Sequence, residues 1–297
     1  MRFIFKYILL MLVLISCIDE VPLMSNNDEP QAIVVHSFIN PDSALKVSIA
    51  KVSNLNEPYI WITDAIVNIR RNQSDTSILN YISGGNYVSN IQFRNNDSAY
   101  LFINHAFYKN LVSLNVPSKV KIKQVDTFKT LIGLVGKTRV FRVYFKDSAY
   151  NRNFYRLYCV RTFKKYTLDQ DGKKIDSVSQ TERVAISGNE IPFLRNPYNA
   201  YTTKEILFSD ETFNGVAARF EIFETLIKSN SNIYKTEYID IYLENISESI
   251  YTYLNTRNAH LWQQNSITQL PSKVTGNLGV AYGVFGAYST DRYRIKF

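Results

Sequence analysis

From Ile33 onward, apolar and polar residues alternate in short runs, and that two-residue period most narrows the folds open to this chain. Successive side chains of a strand point to opposite faces, so a strand buried on one side reads as alternation. Leu45-Lys46-Val47-Ser48-Ile49 alternates, and so does Ala65-Ile66-Val67-Asn68-Ile69-Arg70. Ile33-Val34-Val35-His36-Ser37-Phe38-Ile39 is a further strand candidate. It ends at Asn40-Pro41-Asp42, where Pro presets φ and the Asx side chains cap a turn. Ser83-Gly84-Gly85-Asn86 separates two more candidates. Short strands with turns at this spacing predict a sandwich.

Beyond about residue 130 the elements lengthen. Phe141, Val143 and Phe145 share one face of Val140 to Phe145. Phe154 to Tyr166 is longer still and reaches Asp169-Gln170-Asp171-Gly172, whose Asp-Gly pair favours a hairpin returning through Ile175 to Ile186. Tyr234 to Leu243 sets Ile239, Ile241 and Leu243 opposite Tyr238, Asp240 and Tyr242. One helix interrupts the strands. Asn245-Ile246-Ser247-Glu248 offers an N-cap with Glu three residues on, and Ile250, Tyr253, Leu254 and Leu261 follow at helical spacing. Val280 to Phe297 reads as closing strands. The 21 Tyr and 18 Phe agree with a strand-rich chain. The expected fold is all-β and mainly antiparallel: a sandwich over residues 31–128, then a larger β-rich domain over 129–297 with its helix near 247–264.

The first thirty residues follow other rules. Arg2 and Lys6 precede an apolar run, Ile8 to Ile15, that stops at Ser16-Cys17. A membrane span needs ~20 apolar residues, so this run is too short to be one. It matches the basic and apolar regions of a secretory signal peptide over residues 1–16. Leu14-Ile15-Ser16-Cys17 resembles the bacterial lipobox, in which the Cys thiol is acylated and the leader is cut before it. Two or more acyl chains, at ~0.8 kcal/mol per buried CH₂, hold a protein stably on a bilayer. Residues 17–30 are polar, acidic and Pro-ended, as in a flexible tether. Acidic Asp19-Glu20 directly after Cys17 also resembles the surface-export signal of Bacteroidota lipoproteins.

The C-terminal third carries a family resemblance. Ile241 to Leu254 is a strand followed by a helix opening with Ser, Tyr and Leu. It is followed by Gly276-Asn277-Leu278-Gly279-Val280-Ala281-Tyr282-Gly283-Val284-Phe285-Gly286-Ala287. Together with Asp64 to Ile69 and Gly85-Asn86-Tyr87, these segments resemble the Bacteroidota lipoprotein family known as domain of unknown function 4249. Gly276-Asn277 stands where that family has a Gly-Gly pair. The resemblance implies an immunoglobulin-like N-terminal β-domain and a larger β-rich C-terminal one. It also implies an outer-membrane surface lipoprotein linked with a TonB-dependent transporter. It carries no catalytic residues.

Motifs for chemistry are few. Cys17 is the lipidation candidate, which leaves Cys159 alone in a strand-like run, where a free Cys behaves as a small buried hydrophobe. His36, His105 and His260 lie far apart without His, Cys or Glu neighbours at metal spacing, and H-E-x-x-H and G-x-S-x-G are absent. Asp169 to Gly172 fails as a calcium loop, because position six is Lys174 and position twelve Gln180. Gly276, Gly279, Gly283 and Gly286 miss the phosphate-cradling spacing and suit close backbone approach within strands.

No catalytic residue, metal or cofactor is expected. The formal charge is +8, and about +6 once Arg2 and Lys6 leave with the leader. Its Lys and Arg are scattered rather than clustered, so no nucleic-acid partner is expected. Asp-Ser pairs followed by a small apolar residue at Ser43, Ser98, Ser148 and Ser177 resemble O-glycosylation sites of exported Bacteroidota proteins. Tyr59 with Trp61, and Tyr198 with Tyr201, are loop-like aromatic candidates for a partner or sugar.

These observations set three expectations. The first is a non-catalytic accessory subunit of a TonB-dependent transporter, aiding substrate capture or gating. The second is a structural or assembly subunit of an outer-membrane complex. The third is an enzyme whose paired carboxylates meet only in the fold.

Overall fold

A computed structural model describes residues 32–52, 60–106, 108–132, 136–149, 151–188, 191–194, 196, 204–224, 233–264 and 272–297. The first half contributes β1 (Ile33–Ile39), β2 (Leu45–Lys51), β3 (Ile60–Trp61), β4 (Ile66–Arg71), β5 (Asp75–Ile78), β6 (Asn80–Ser83), β7 (Asn86–Ser89), β8 (Ser98–His105) and β9 (Tyr108–Asn115). The second half begins with β10 (Ile122–Ile132), β11 (Gly136–Lys146), β12 (Phe154–Leu168), β13 (Lys174–Val184), β14 (Ile186–Ser187) and the short helix α1 (Ile191–Leu194). It continues through β15 (Ile206–Ser209), β16 (Ala217–Glu224), β17 (Tyr234–Ile246), helix α2 (Glu248–Gln264) and β18 (Tyr282–Lys296). The fold is all-β, antiparallel-rich, with one long late helix.

Alternation in the sequence becomes burial in the strands. Val35, Val47 and Ile49 are fully buried, as are Val67 and Ile69 of β4 and Phe141 and Val143 of β11. Two sheets, one holding β1, β2 and β7 and the other ordered β5-β4-β8-β9, close over the first core. A second core lies between the β10-β11-β16-β14 sheet and β12, β15, β17 and β18. It is rich in rings: Phe145, Tyr155, Phe208, Phe213 and Phe220 meet at centroid separations of 5.1 to 6.2 Å. Such edge and tilted contacts add to the area that the rings bury.

One strand joins the two cores. Val34 to Ile39 of β1 pair in parallel with Tyr282 to Ala287, and β17 pairs antiparallel with Tyr288 to Lys296. A single ten-stranded sheet therefore runs through both sandwiches, and residues 32–297 group as one compact unit. The first core takes Leu278, Ala281, Phe285 and Ala287 from this C-terminal segment. The stretch expected to hold closing strands forms just this one long strand.

The glycines flagged in the sequence let β18 fit between its neighbours. Gly283 has φ +96°, and a Cβ there would lie 2.0 Å from the Val35 carbonyl oxygen. At Gly286 a Cβ would meet Ile250 of α2 at 2.2 Å. Ile250 and Leu254, with Phe154, Leu207 and Ile246, form a third core under the helix. Its buried stripe is Ile250, Leu254 and Ala259, whereas Leu261 is 50% exposed, so the predicted face drifts outward after two turns. The cap is Ser247 rather than Asn245: Ser247 Oγ accepts from Ile250 N, and Asn245 is still inside β17.

Candidate functional site

Where β9 leaves the first sandwich and β17 turns into α2, the surface opens into a cleft of about 680 Å³. Four separate stretches line it, 113–118, 151–154, 245–249 and 275–277, together with Asn96, Ser148 and Thr252. Most of these side chains are amides and hydroxyls. Among the described residues Arg152 and Glu248 are its only charged ones, and Arg152 forms an ion pair with Glu211.

Hydrogen bonds below the surface set the floor. Asp147 is buried and accepts from the Tyr155 hydroxyl, from Asn153 Nδ2 at 3.1 Å and from Gly215 N at 2.8 Å. Asp210, also buried, accepts from Asn153 N at 2.8 Å. Asn153 Oδ1 in turn accepts from Asn245 Nδ2 at 3.1 Å, and the same amide donates to Ser118 O at 3.0 Å. One network thus ties the β11–β12 connection, the strand–helix corner and the end of the first sandwich. Burial, with Asp147 nearby, raises the Asp210 carboxyl above its ordinary range against the donors from Asn153. Burial also raises the Tyr155 phenol, as does its bond to Asp147. Neither carboxylate lines the cleft.

On the opposite wall, Asn277 Nδ2 donates to Phe285 O and its Oδ1 accepts from Phe285 N. Ser247 Oγ accepts from Ala287 N at 3.1 Å. These amide and hydroxyl groups hold backbone in place, so the cleft is preformed, as ligand sites usually are.

Other titratable groups lie elsewhere. Cys159 is fully buried, and burial followed by Glu224 pushes its thiol up, so it sits in the core as a neutral group. His36 packs edge-on to Tyr253, His105 lies 3.3 Å from Asp64, and His260 Nδ1 lies 2.6 Å from Ser272 O. Burial, then Arg257, lowers the pKa of His36. Among the described residues no group of three His, Cys, Asp or Glu is placed to hold a metal ion, and no helix is long and apolar enough to cross a membrane.

The flagged residues scatter. Cys17, Tyr59, Tyr198 and Tyr201 lie outside the described residues. Trp61 is 44% exposed and walls a separate pocket of about 500 Å³ with His36, Ser48 and Lys51. Ser43 and Ser177 are exposed, Ser148 is exposed on the cleft wall, and Ser98 Oγ donates to Asn115 Oδ1 at 2.9 Å. Of the described candidates, only Ser148 lines the cleft. Several cleft residues did carry sequence signals, the capping pattern at Asn245–Glu248 and the family segment at Gly276-Asn277, but none of those signals pointed to a shared site.

A second surface was equally silent in the sequence. On the outer face of β12, β17 and β18, Tyr158 stacks on Tyr242 at 4.8 Å. Arg183 lies 4.2 Å over Tyr158, and Arg294 lies 3.8 Å over Tyr238 while pairing with Asp240 at 2.7 Å.

Two sandwiches sharing one sheet, with a polar cleft at their junction, define the class: an all-β, antiparallel-rich protein with one long late helix. The chain belongs to the family described as Domain of unknown function (DUF4249), whose model matches residues 18–294. No curated protein matches it.

Proposed function

We propose that this chain is a non-catalytic lipoprotein of the outer-membrane surface that serves as a binding subunit of a TonB-dependent transporter, aiding substrate capture or gating. The observation that carries this reading is the junction cleft. It has ligand-sized volume, a bonded floor and amide and hydroxyl walls, and the buried carboxylates Asp147 and Asp210 are occupied beneath it. General acid–base chemistry needs a titratable group within reach of the substrate, and among the described residues the only carboxylate in the lining is Glu248. The leader, Cys17 and the acidic tether support anchoring at the surface. Anchoring confines the search for a barrel to two dimensions and raises the effective concentration of both partners. Ser43, Ser148 and Ser177 remain the accessible glycosylation candidates.

A structural or assembly subunit is the second reading, and the Tyr158–Tyr242 face favours it, because Tyr and Arg are the residues that anchor protein interfaces. Purification of the tagged full chain from detergent extracts tests the first reading. A β-barrel transporter should co-purify, and deletion should impair growth on particular nutrients. A partnerless preparation, or a general envelope defect without nutrient dependence, would contradict it.

A further inference from the structure

Strand β9 forms one wall of the cleft through Ser113, Leu114 and Asn115, and it is an edge strand: among the described residues its only ladder partner is β8. In an antiparallel pair, bonded and non-bonded rungs alternate, so half of an edge strand's N–H and C=O groups point away from the sheet. The phase of that alternation can be fixed here. Val116 N donates to Asp97 O at 2.8 Å, in the register that pairs Ser98 with Asn115. Bonded rungs therefore fall at Ala99–Leu114 and Leu101–Val112, and Ser113 and Asn115 turn their backbone groups outward.

Two further contacts agree with this phase. Ser98 O faces the other way and accepts from Asn72 N at 2.7 Å, and Leu111 N donates to Asn110 Oδ1 rather than to β8. Ser113 and Asn115 are exposed, and no neighbouring strand among the described residues takes up their main-chain groups on that side.

We infer that the cleft binds a short extended peptide, laid antiparallel or parallel along Ser113–Asn115 as an added strand. This rests on the binding reading above and names its ligand class. Main-chain bonding to an open edge is a recurring mode of peptide capture. The open stretch is ~7 Å long at ~3.3 Å per residue, which suits a segment of about three to four residues. Its composition also fits. Exposed edges are usually guarded by charge, as β13 is by Lys174, Asp176, Glu182 and Arg183. Ser113-Leu114-Asn115 carries no charge and sits recessed in a cleft. Asn151 and Thr252 line the same cleft and can both donate and accept, as a peptide's own amides require.

A main-chain contact is tested by removing a main-chain donor. Ser113→Pro deletes the outward N–H without touching a bond to β8, and proline is tolerated at such edge positions. Ser113→Ala removes only the hydroxyl. Native mass spectrometry of the full chain would use a size-selected tetrapeptide pool from a casein digest, with maltotetraose in parallel. The expected result is peptide adducts on wild type and Ser113→Ala, at least tenfold weaker on Ser113→Pro, with no saccharide adduct. Peptide binding unaffected by Ser113→Pro, saccharide in place of peptide, or no adduct of either kind would overturn the inference.

Should Ser113→Pro fail to fold, hydrogen exchange on wild type decides instead. The amides of Ser113 and Asn115 should become protected when the pool is added, and unchanged exchange there would equally overturn it. A barrel that co-purifies while peptide binding fails would sink this inference alone and leave the accessory reading standing.

Discussion

At the scale of single residues, the cleft floor depends on carboxylates placed where charge is costly. Asp210 is almost fully buried beside Asp147, and its carboxyl sits above the ordinary range because burial outweighs the donors from Asn153. A carboxyl whose folded pKa exceeds its unfolded value of ~3.9 holds a proton more tightly when folded. Its contribution to stability is therefore present below that unfolded value and is lost as pH rises through the folded one. Asp210→Asn keeps an acceptor for Asn153 N and cannot ionise. Relative to wild type it should gain stability as pH rises from about 4 toward neutrality, as the wild-type carboxyl is forced to ionise. Urea unfolding of both proteins across that range checks this, and parallel curves would contradict it. Cys159 is a simpler case: a lone thiol in an alternating strand reads as a core residue, and it is one.

At the scale of elements, β18 bears the most. Its first half completes the first core beside β1, and its second half closes the second core beside β17. Gly283 allows this, since any side chain there would strike Val35 O and also adopt a strained φ. Gly283→Ala should cost at least ~2 kcal/mol, combining overpacking with backbone strain. It should lower the urea midpoint of the whole body rather than of one half. An unchanged midpoint would show that the β1–β18 contact yields easily.

Strands and turns were legible because their signals are local. Leu45 to Ile49, Val140 to Phe145 and Tyr234 to Leu243 alternate, and Gly84-Gly85 and Asp171-Gly172 break the chain where hairpins turn. The parallel partnering of β1 with β18 was not legible, because it joins residues some 250 positions apart and leaves no local pattern. The helix cap moved from Asn245 to Ser247 because the β17 ladder continues to Ile246, and tertiary pairing overrides a local capping pattern. The cleft was hidden for the same reason as the parallel pair. Ser113, Asn153, Asn245 and Asn277 are ordinary residues until the fold brings their four stretches together.

At the scale of the whole molecule, one sheet running through both sandwiches makes a firm body, and the cleft lies where its two halves meet. Firmness matters for an accessory subunit, because a preformed site avoids the ordering cost that a flexible one bears on binding. The proposed placement rests on a residue outside the described structure: fatty chains on Cys17 would hold the cleft beside a barrel. Metabolic labelling of cells with an alkyne palmitate analogue, followed by fractionation of wild type and Cys17→Ser, tests that most directly. Wild type should carry label and partition with the outer membrane, and Cys17→Ser should be unlabelled and released from it. An unlabelled wild type, with Cys17→Ser still in the membrane fraction, would contradict the account.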